Sequence, residues 1–379
     1  MKILLTGGGT GGHFYPIIAV ASELNEIAKE NKLLRPELYY MSTEPYNEGL
    51  LFENNIIFKE VNSGKIRLHL SPLNFIKNFF DIIKIGIGSI QALWDIYIIY
   101  PDVIFGKGGY ASFAALLAGR ILGIPVVIHE SDSVPGKVNK WAGKFARKIA
   151  LSYPDAISFF PQGKTAYTGN PIRKEIMEPL TEGADKILHI DINIPTILIL
   201  GGSQGSKIIN EVVMDVLPQL VEKYQVIHQT GKNNFKVIEE TANVVLLNNI
   251  NKDRYKIFDY LNVLNMRLSA GVANLVISRA GSTIFEIASW GKPSIIIPIP
   301  EVTSHDQRSN AYAYSRSGSA LVIEEKNLTP HLFISEIDRL ISNKEILLKM
   351  SQSAKAFSRK DSAHLIAEEI MAIALEHEK

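Results

Sequence analysis

Near the amino terminus, Gly7-Gly8-Gly9-Thr10-Gly11-Gly12-His13 puts nearly bare backbone directly before an imidazole. A loop without side chains exposes its N–H groups, and a helix starting just beyond it aims a positive end at the same point. The guest such a site suits is a phosphate or diphosphate. The loop lacks the Lys-Ser/Thr ending of nucleotide-hydrolase loops. Its spacing is also poor for a dinucleotide fingerprint, which wants an acid about 20 residues on, and Glu23 comes too early and falls within the expected helix. A tight strand-to-helix turn without chemistry remains the alternative.

Further loops carry chemistry after apolar runs. Phe105-Gly106-Lys107-Gly108-Gly109-Tyr110 is a second glycine turn, suited to another phosphate oxygen or to an ordinary turn. His129-Glu130-Ser131-Asp132 places charge where a buried strand should end, and His129 itself reads best as a structural imidazole. In Gly201-Gly202-Ser203-Gln204-Gly205, Ser203 can donate to a phosphate. Arg173, in Gly169-Asn170-Pro171-Ile172-Arg173, offers a guanidinium fork to a diphosphate or is a surface arginine. Ser278-Arg279-Ala280-Gly281-Ser282-Thr283 leads to Glu286, which can accept two sugar hydroxyls or simply favour the dipole of its helix. His305-Asp306-Gln307-Arg308-Ser309-Asn310 is polar enough to read a hexose.

Periodicity supplies the elements that position these groups. Strand-like runs at Ile3–Leu5, Leu38–Met41, Val103–Phe105, Val126–His129 and Lys148–Leu151 alternate with helical patterns at Tyr15–Lys29, Ala111–Leu122 and Lys137–Phe145. The alternation starts again at Thr196–Leu200, with a helix near Ile208–Glu222 and strands expected at Gln225–His228, Val244–Leu247, Leu275–Ile277, Ser294–Ile297 and Ser319–Val322. Strands joined by crossover helices predict parallel sheets covered on both faces, and two successive sets predict two α/β domains. Ligands of such sheets lie beyond the carboxyl ends of the strands, so facing domains would form a cleft. The expected division is 1–170, a hinge and linker over 171–195, 196–350, and a final helical segment over 351–379.

With 379 residues, 46% apolar, the chain is long for one domain, and the absence of cysteine removes disulfides, thiolate nucleophiles and cysteine metal sites. No basic, then apolar, leader opens it, so export is not expected. No run reaches the roughly 20 continuous apolar residues of a membrane span. Residues 61–150 nevertheless carry 11 Lys/Arg against 5 Asp/Glu, a balance of +6 in a chain of net +1. Within Lys65–Tyr100, helical spacing puts Leu73, Ile76, Phe80 and Ile83 on one stripe, which Phe75, Phe79, Ile82 and Ile85 widen, among Lys65, Arg67, Lys77 and Lys84. A broad apolar face edged by lysines suits shallow insertion at a lipid surface; a helix buried between two neighbours is the other reading. A zinc finger, a dense basic tract and an aromatic platform are all lacking, which argues against nucleic acid.

Taken in order, Gly8-Gly9-Thr10-Gly11-Gly12-His13, Gly108-Gly109-Tyr110, His129–Asp132, Gly169–Arg173, Gly201–Gly205 and Ser278–Gly281 resemble glycosyltransferase family 28. The likeness is to the bacterial peptidoglycan enzymes that add N-acetylglucosamine to undecaprenyl-diphosphate-linked muramyl pentapeptide, and it runs over nearly the whole chain. It implies the GT-B architecture, two Rossmann-like doubly wound domains facing a deep cleft, with the last helix returning to the first domain. It implies that Arg173, Ser203, Ser282 and Thr283 hold the donor diphosphate, Glu286 the ribose and the chain near Val263 and Leu264 the uracil, with Arg279 also in the donor site. Asp306 and Gln307 would face the N-acetylglucosamine, with Thr10, Gly11, Gly12 and Asp132 also near the donor. Gly9, Thr10, His13, Gly108, Gly109 and Tyr110 would receive the acceptor.

Two positions depart from the family pattern: Asp132 stands where Asn is frequent and Asp306 where Gln is. The Phe258–Asn265 stretch also lacks the usual form, so Val263 is placed by counting back from Arg279. The resemblance implies a single inverting displacement that makes a β-1,4 bond. His13 is the candidate base, since an unperturbed imidazole titrates near 6.5; alternatively His13 donates to the diphosphate and Asp132 is the base. UDP-N-acetylglucosamine is a substrate, and no cofactor or obligatory metal is expected. The implied partners are that donor, the lipid-linked acceptor, an anionic membrane surface met peripherally from the cytoplasmic side, and other cell-wall synthesis proteins. A transferase of the same fold with another lipid or natural-product acceptor, or a binding-only protein, remains open.

Overall fold

Leu4 and its neighbours Ile3 and Leu5 are all fully buried, the mark of a strand covered on both faces. The computed structural model describes residues 1–64, 72–202, 205–300 and 307–378, without the side chains of 72–76, 377 and 378. The chain forms two units, Met1–Arg173 with Arg359–Lys379, and Lys174–Ser358.

In the first unit, strands β1 (Lys2–Thr6), β2 (Glu37–Ser42), β3 (Ile56–Glu60), β4 (Val103–Gly106), β5 (Val126–Glu130), β6 (Lys148–Leu151) and β7 (Thr165–Tyr167) pair in parallel in the order β3-β2-β1-β4-β5-β6-β7. Helices α1 (Gly11–Glu30), α2 (Glu48–Glu53), α3 (Pro72–Ile99), α4 (Phe113–Leu122) and α5 (Lys137–Ala142) connect them. Alternation along β1 feeds two cores: Ile3 and Leu5 pack with Ile17, Ala21 and Leu24 of α1, while Leu4 packs with Ala92 and Ile96 of α3 and Leu116 of α4.

The second unit opens with the short helices α6 (Lys174–Met177) and α7 (Ala184–Ile187). Its sheet, β8 (Thr196–Leu200), β9 (Gln225–Gln229), β10 (Tyr255–Phe258), β11 (Ala273–Ser278), β12 (Ser294–Ile296) and β13 (Ala320–Val322), is parallel in the order β10-β9-β8-β11-β12-β13. The helices around it are α8 (Lys207–Lys223), α9 (Phe235–Val245), α10 (Val263–Val272), α11 (Thr283–Trp290), α12 (Arg308–Arg316), α13 (Pro330–Ile341) and α14 (Lys344–Phe357). The last helix, α15 (Ser362–Ala374), belongs to the first unit, where Ile366, Ala367 and Ile370 join the α1 core and His364 Nδ1 lies 3.2 Å from Glu23 Oε2.

Three expectations are corrected. Val244–Leu247 is no strand: Ile238, Ala242 and Leu246 form the buried stripe of α9 and the turn after it, and the strand is β10. A pair of β-branched valines misled the period there. The helix from Lys137 stops at Ala142, and the turn that follows passes so close to Phe160 that a Cβ at Gly143 would lie 2.5 Å from its ring. The polar stretch 171–195 is no bare linker: Trp290 Nε1 donates to Ile176 O at 2.8 Å, and Leu188 and Ile190 are buried in the second core.

Candidate active site

Each sheet reverses its strand order once, between β1 and β4 and between β8 and β11. At such switch points the connections leave in opposite directions and open a crevice at the carboxyl ends. The expected glycine loops occupy those four ends.

In the first unit, Tyr40 OH donates to Gly7 O at 2.8 Å and pins the loop after β1. Burial pushes the Tyr40 phenol up to about 12, so it stays a donor. Gly9 and Gly109 both have positive φ, +86° and +82°. A Cβ on Gly9 would lie 2.9 Å from the Tyr110 ring; one on Gly109 would lie 3.0 Å from Gly8 O and 3.4 Å from His13 Cε1 and Nε2. The two glycine loops therefore meet backbone to backbone, with the imidazole in the seam. Thr10 caps α1 without a side-chain bond to it; its Oγ1 instead lies 3.1 Å from His13 Nδ1. In the tautomer whose Nδ1–H donates to that oxygen, Nε2, on the Gly109 side of the ring, is the acceptor nitrogen.

Tyr15 extends the seam. Its ring edge is 3.0 Å from where a Gly11 Cβ would stand, and the Arg173 guanidinium lies 4.2 Å from its centroid. Arg173 is thus buried in the first unit as a stacked cation beside Thr10-Gly11-Gly12.

Beneath the loops, Glu130 accepts from Asp132 N (2.9 Å), Gly136 N (3.1 Å) and Asn139 Nδ2 (2.9 Å), shaping the turn that carries Asp132. His129 fits its structural reading: burial pushes its imidazole well below the usual value, and neutral Nε2–H donates to Gly169 O at 2.9 Å.

In the second unit, Ser203 and Asp306 lie outside the described residues. Gly202 and Gly205 have φ of +85° and +76°, and the loop folds so tightly that a Gly201 Cβ would stand 2.6 Å from Ser206 N. Gln229, unmarked in the sequence reading, joins two loops: Nε2 donates to Gly202 O at 3.2 Å and Oε1 accepts from Leu261 N at 3.0 Å. That bond positions the start of α10, where Val263 and Leu264 are exposed apolar side chains and Asn262 caps Asn265 N at 2.8 Å.

After β11, Ser282 precedes Thr283 at the start of α11, with Glu286 half-buried in its first turn. Gln307 Nε2 stands 3.7 Å from where a Gly281 Cβ would be, and Gln307 Oε1 accepts from Ile299 N at 3.3 Å. Gln307 and the Ser282–Glu286 turn are therefore neighbours. Arg279 is bound within the fold, with Nη1 2.7 Å from Glu325 Oε2 and donating to Ile297 O at 3.1 Å. It braces the loop. A cavity of about 320 Å³ lies alongside, bounded by Ile208, Pro298, Arg308 and Glu325.

Two doubly wound parallel sheets with glycine loops at their switch points are the GT-B glycosyltransferase architecture. The chain belongs to glycosyltransferase family 28: residues 3–151 match the family's N-terminal domain and residues 196–366 its C-terminal domain. It is 35% identical over 359 residues to the UDP-N-acetylglucosamine–N-acetylmuramyl-(pentapeptide) pyrophosphoryl-undecaprenol N-acetylglucosamine transferase of Clostridium novyi, covering 94% of each chain. To the enzyme of the same name from Natranaerobius thermophilus it is 33% identical over 364 residues, 94% of this chain and 96% of that one. Among solved structures, Acinetobacter baumannii MurG superposes with a TM-score of 0.71 at 24% identity, over 98% of this chain and 99% of that one. A Neisseria meningitidis UDP-GlcNAc 2-epimerase bound to UDP-GlcNAc gives 0.68 at 16% identity, over 98% and 100%. These two show the fold.

Proposed function

We propose that this chain transfers N-acetylglucosamine from UDP-N-acetylglucosamine to the 4-hydroxyl of muramyl pentapeptide on undecaprenyl diphosphate, forming a β-1,4 bond with inversion. The observation that carries the reading is the His13 seam between two glycine loops, in a chain 35% identical over 94% of its length to a relative named for that reaction. The acceptor oxygen gives its electron pair to the anomeric carbon as the bond to the diphosphate breaks and that pair leaves with UDP. The acceptor proton passes to His13 Nε2. General-base assistance is typically worth 10² to 10⁴, and donors aimed at the departing diphosphate are usually the larger contribution.

The first unit takes the acceptor diphosphate on the N–H groups of Gly9, Gly108 and Gly109 with Thr10 and Tyr110. The second takes the nucleotide: the Ser203, Ser282 and Thr283 turns with the phosphates, Glu286 the ribose, the Val263 end of α10 the uracil, and Asp306 and Gln307 the sugar. Arg173 and Asp132 of the first unit are also read as donor contacts. No metal is required, so transfer should persist in a chelator.

Docking at the cytoplasmic membrane surface is supported by α3. Ala92 and Ile96 anchor it to the core, while Phe79, Phe80, Ile87, Ile90, Trp94 and Tyr97 are each more than half exposed. This favours the surface reading over burial between two neighbours. By length and composition alone, Lys77–Ile99 could cross a membrane. Lysines 77 and 84 on a helix already seated on its own core suit peripheral attachment instead. The expected contributions of Lys65, Arg67 and the side chains of Leu73, Phe75 and Ile76 lie outside the described residues.

Labelled sugar transfer to the purified lipid-linked acceptor tests the proposal, with His13→Ala beside the parent. Product from the parent and a fall of at least about 10² in the variant are expected. Donor binding without product would leave a binding-only protein, and product only on a different acceptor would leave a related transferase.

A further inference from the structure

Lys107 directly follows β4 in the second glycine loop, and it is 1% exposed. Its backbone N–H donates to Thr6 O at 2.8 Å, and a Cβ on Gly7 would lie 3.0 Å from Lys107 Cβ, so the side chain runs directly beneath the β1 loop. Among the described residues its Nζ has no hydrogen-bond partner. A fully buried ammonium is costly unless an opposite charge compensates it. β4 pairs in parallel with β5, Gly106 opposite Ile128, so Lys107 leaves the sheet beside His129 and Glu130, and a Cβ on the next residue, Gly108, would lie 2.7 Å from Asn139 Nδ2, the amide that donates to Glu130. Glu130 and Asp132 are the opposite charges that favour the buried ammonium.

We propose that Lys107 is a positioning residue of the acceptor half, the counter-charge that lets the Glu130 and Asp132 carboxylates stand together and so holds the Asp132 turn beneath the paired glycine loops. Burial and then Asp132 push the Glu130 carboxyl up to about 7, and Lys107 opposes that rise. Ionised Glu130 accepts three N–H bonds from the turn and from Asn139; a protonated carboxyl turns one oxygen into a donor facing those donors, and the turn loosens. An amide at position 132 would need no such cation, so Lys107 and Asp132 act as a matched pair. This rests on the transfer reading for its catalytic consequence, and on the fold alone for its charges.

Two measurements on the full chain test it. In carboxyl and amine NMR titrations without substrate, Lys107→Met should move the Glu130 midpoint up by about one pH unit and Asp132→Asn should move it down. Asp132→Asn should also lower the Lys107 Nζ midpoint, which needs no change at Lys107 and so serves if the methionine variant does not fold. In the transfer assay, Lys107→Met should cost roughly ten- to a hundred-fold in kcat/KM for the acceptor, and Asp132→Asn should suppress most of that further loss. An unmoved Glu130 midpoint in a folded Lys107→Met protein, an unmoved Lys107 midpoint in Asp132→Asn, or effects on transfer that simply multiply would overturn the proposal. If the parent makes no product while the titrations behave as stated, the transfer reading falls and the charge pairing stands.

Discussion

Gly109→Ala separates the chemistry of the seam from the stability of the fold. Gly109 has φ +82° and ψ 164°, a region essentially reserved for glycine, and holding alanine there costs on the order of 1–3 kcal/mol. Its methyl would stand 3.0 Å from Gly8 O, tighter than ordinary contact, and 3.4 Å from His13 Nε2. A hydroxyl giving its proton to Nε2 must come within about 2.6–3.2 Å. The methyl fills that approach even where the imidazole does not move. Gly123→Ala is the control: φ is +71° at the left-handed cap of α4, nothing lies within 4 Å of the added methyl, and the cost is about 1 kcal/mol of backbone strain alone. Urea unfolding should show both variants destabilised. Steady-state transfer below their transitions should show Gly109→Ala down by about 10² or more in kcat/KM for the acceptor, with UDP binding intact, and Gly123→Ala at the parental rate. Parental transfer by folded Gly109→Ala would refute the placement of the reacting hydroxyl between Gly109 and His13.

Arg279→Met strands a Glu325 carboxylate that is only 15% exposed, and should destabilise the second unit by about 3–5 kcal/mol; adding Glu325→Gln should recover much of it in the same melting experiment. His228 is fully buried between Asn210 and Tyr255, and burial pushes it down to about 3. Below its ordinary value near 6.5 the unfolded chain binds a proton that the folded one refuses, so its contribution is whole above that pH and declines as pH falls toward 3. Between pH 6.5 and 5 that amounts to about 2 kcal/mol, which His228→Gln should not lose when the two are compared by denaturant titration. Ile90→Glu with Trp94→Glu puts charge on the exposed face of α3, 73% and 65% accessible at those positions. Sedimentation with anionic vesicles should fall while transfer to a detergent-dispersed acceptor holds; unchanged sedimentation would remove α3 from the docking surface.

Legibility followed physical period. Strands such as Thr196–Leu200, continuous in apolar residues and bounded by glycine, were plain because two-sided burial leaves no alternation to misread. The partly exposed β10 and the edge strand β7 carry no such signature in the sequence. The site divided similarly. Glycines at positions 7–12, 108–109 and 201–205 announced close backbone approach, yet what they approach comes from distant segments: Tyr40 to Gly7, His13 to Gly109, Thr230 to Gly205. Arg279 and Arg173 are both donor-site candidates in the sequence. Only the fold shows one bound to Glu325 and the other stacked on Tyr15. Gln229 had no motif at all, because its work is to hydrogen-bond two loops that are 59 residues apart in sequence by their bonded positions, Gly202 and Leu261.

The two units therefore solve one topological problem with different chemistry. At each switch point two chain ends must approach closely with few side chains between them, and glycine answers that need in both sheets. What fills the space left over then decides the role. Beneath the loops of the first unit lie titratable groups, His13, Lys107, Glu130 and Asp132, which can move or hold protons and charge. Beneath those of the second, Gln229 and Asn210 are neutral hydrogen-bonders, burial keeps His228 uncharged, and the charged Arg279 and Glu325 are paired with each other. On the proposed transfer reading, the pH dependence of turnover should follow substitutions at His13, Lys107 and Glu130 while ignoring those at Gln229, which should appear in donor KM alone.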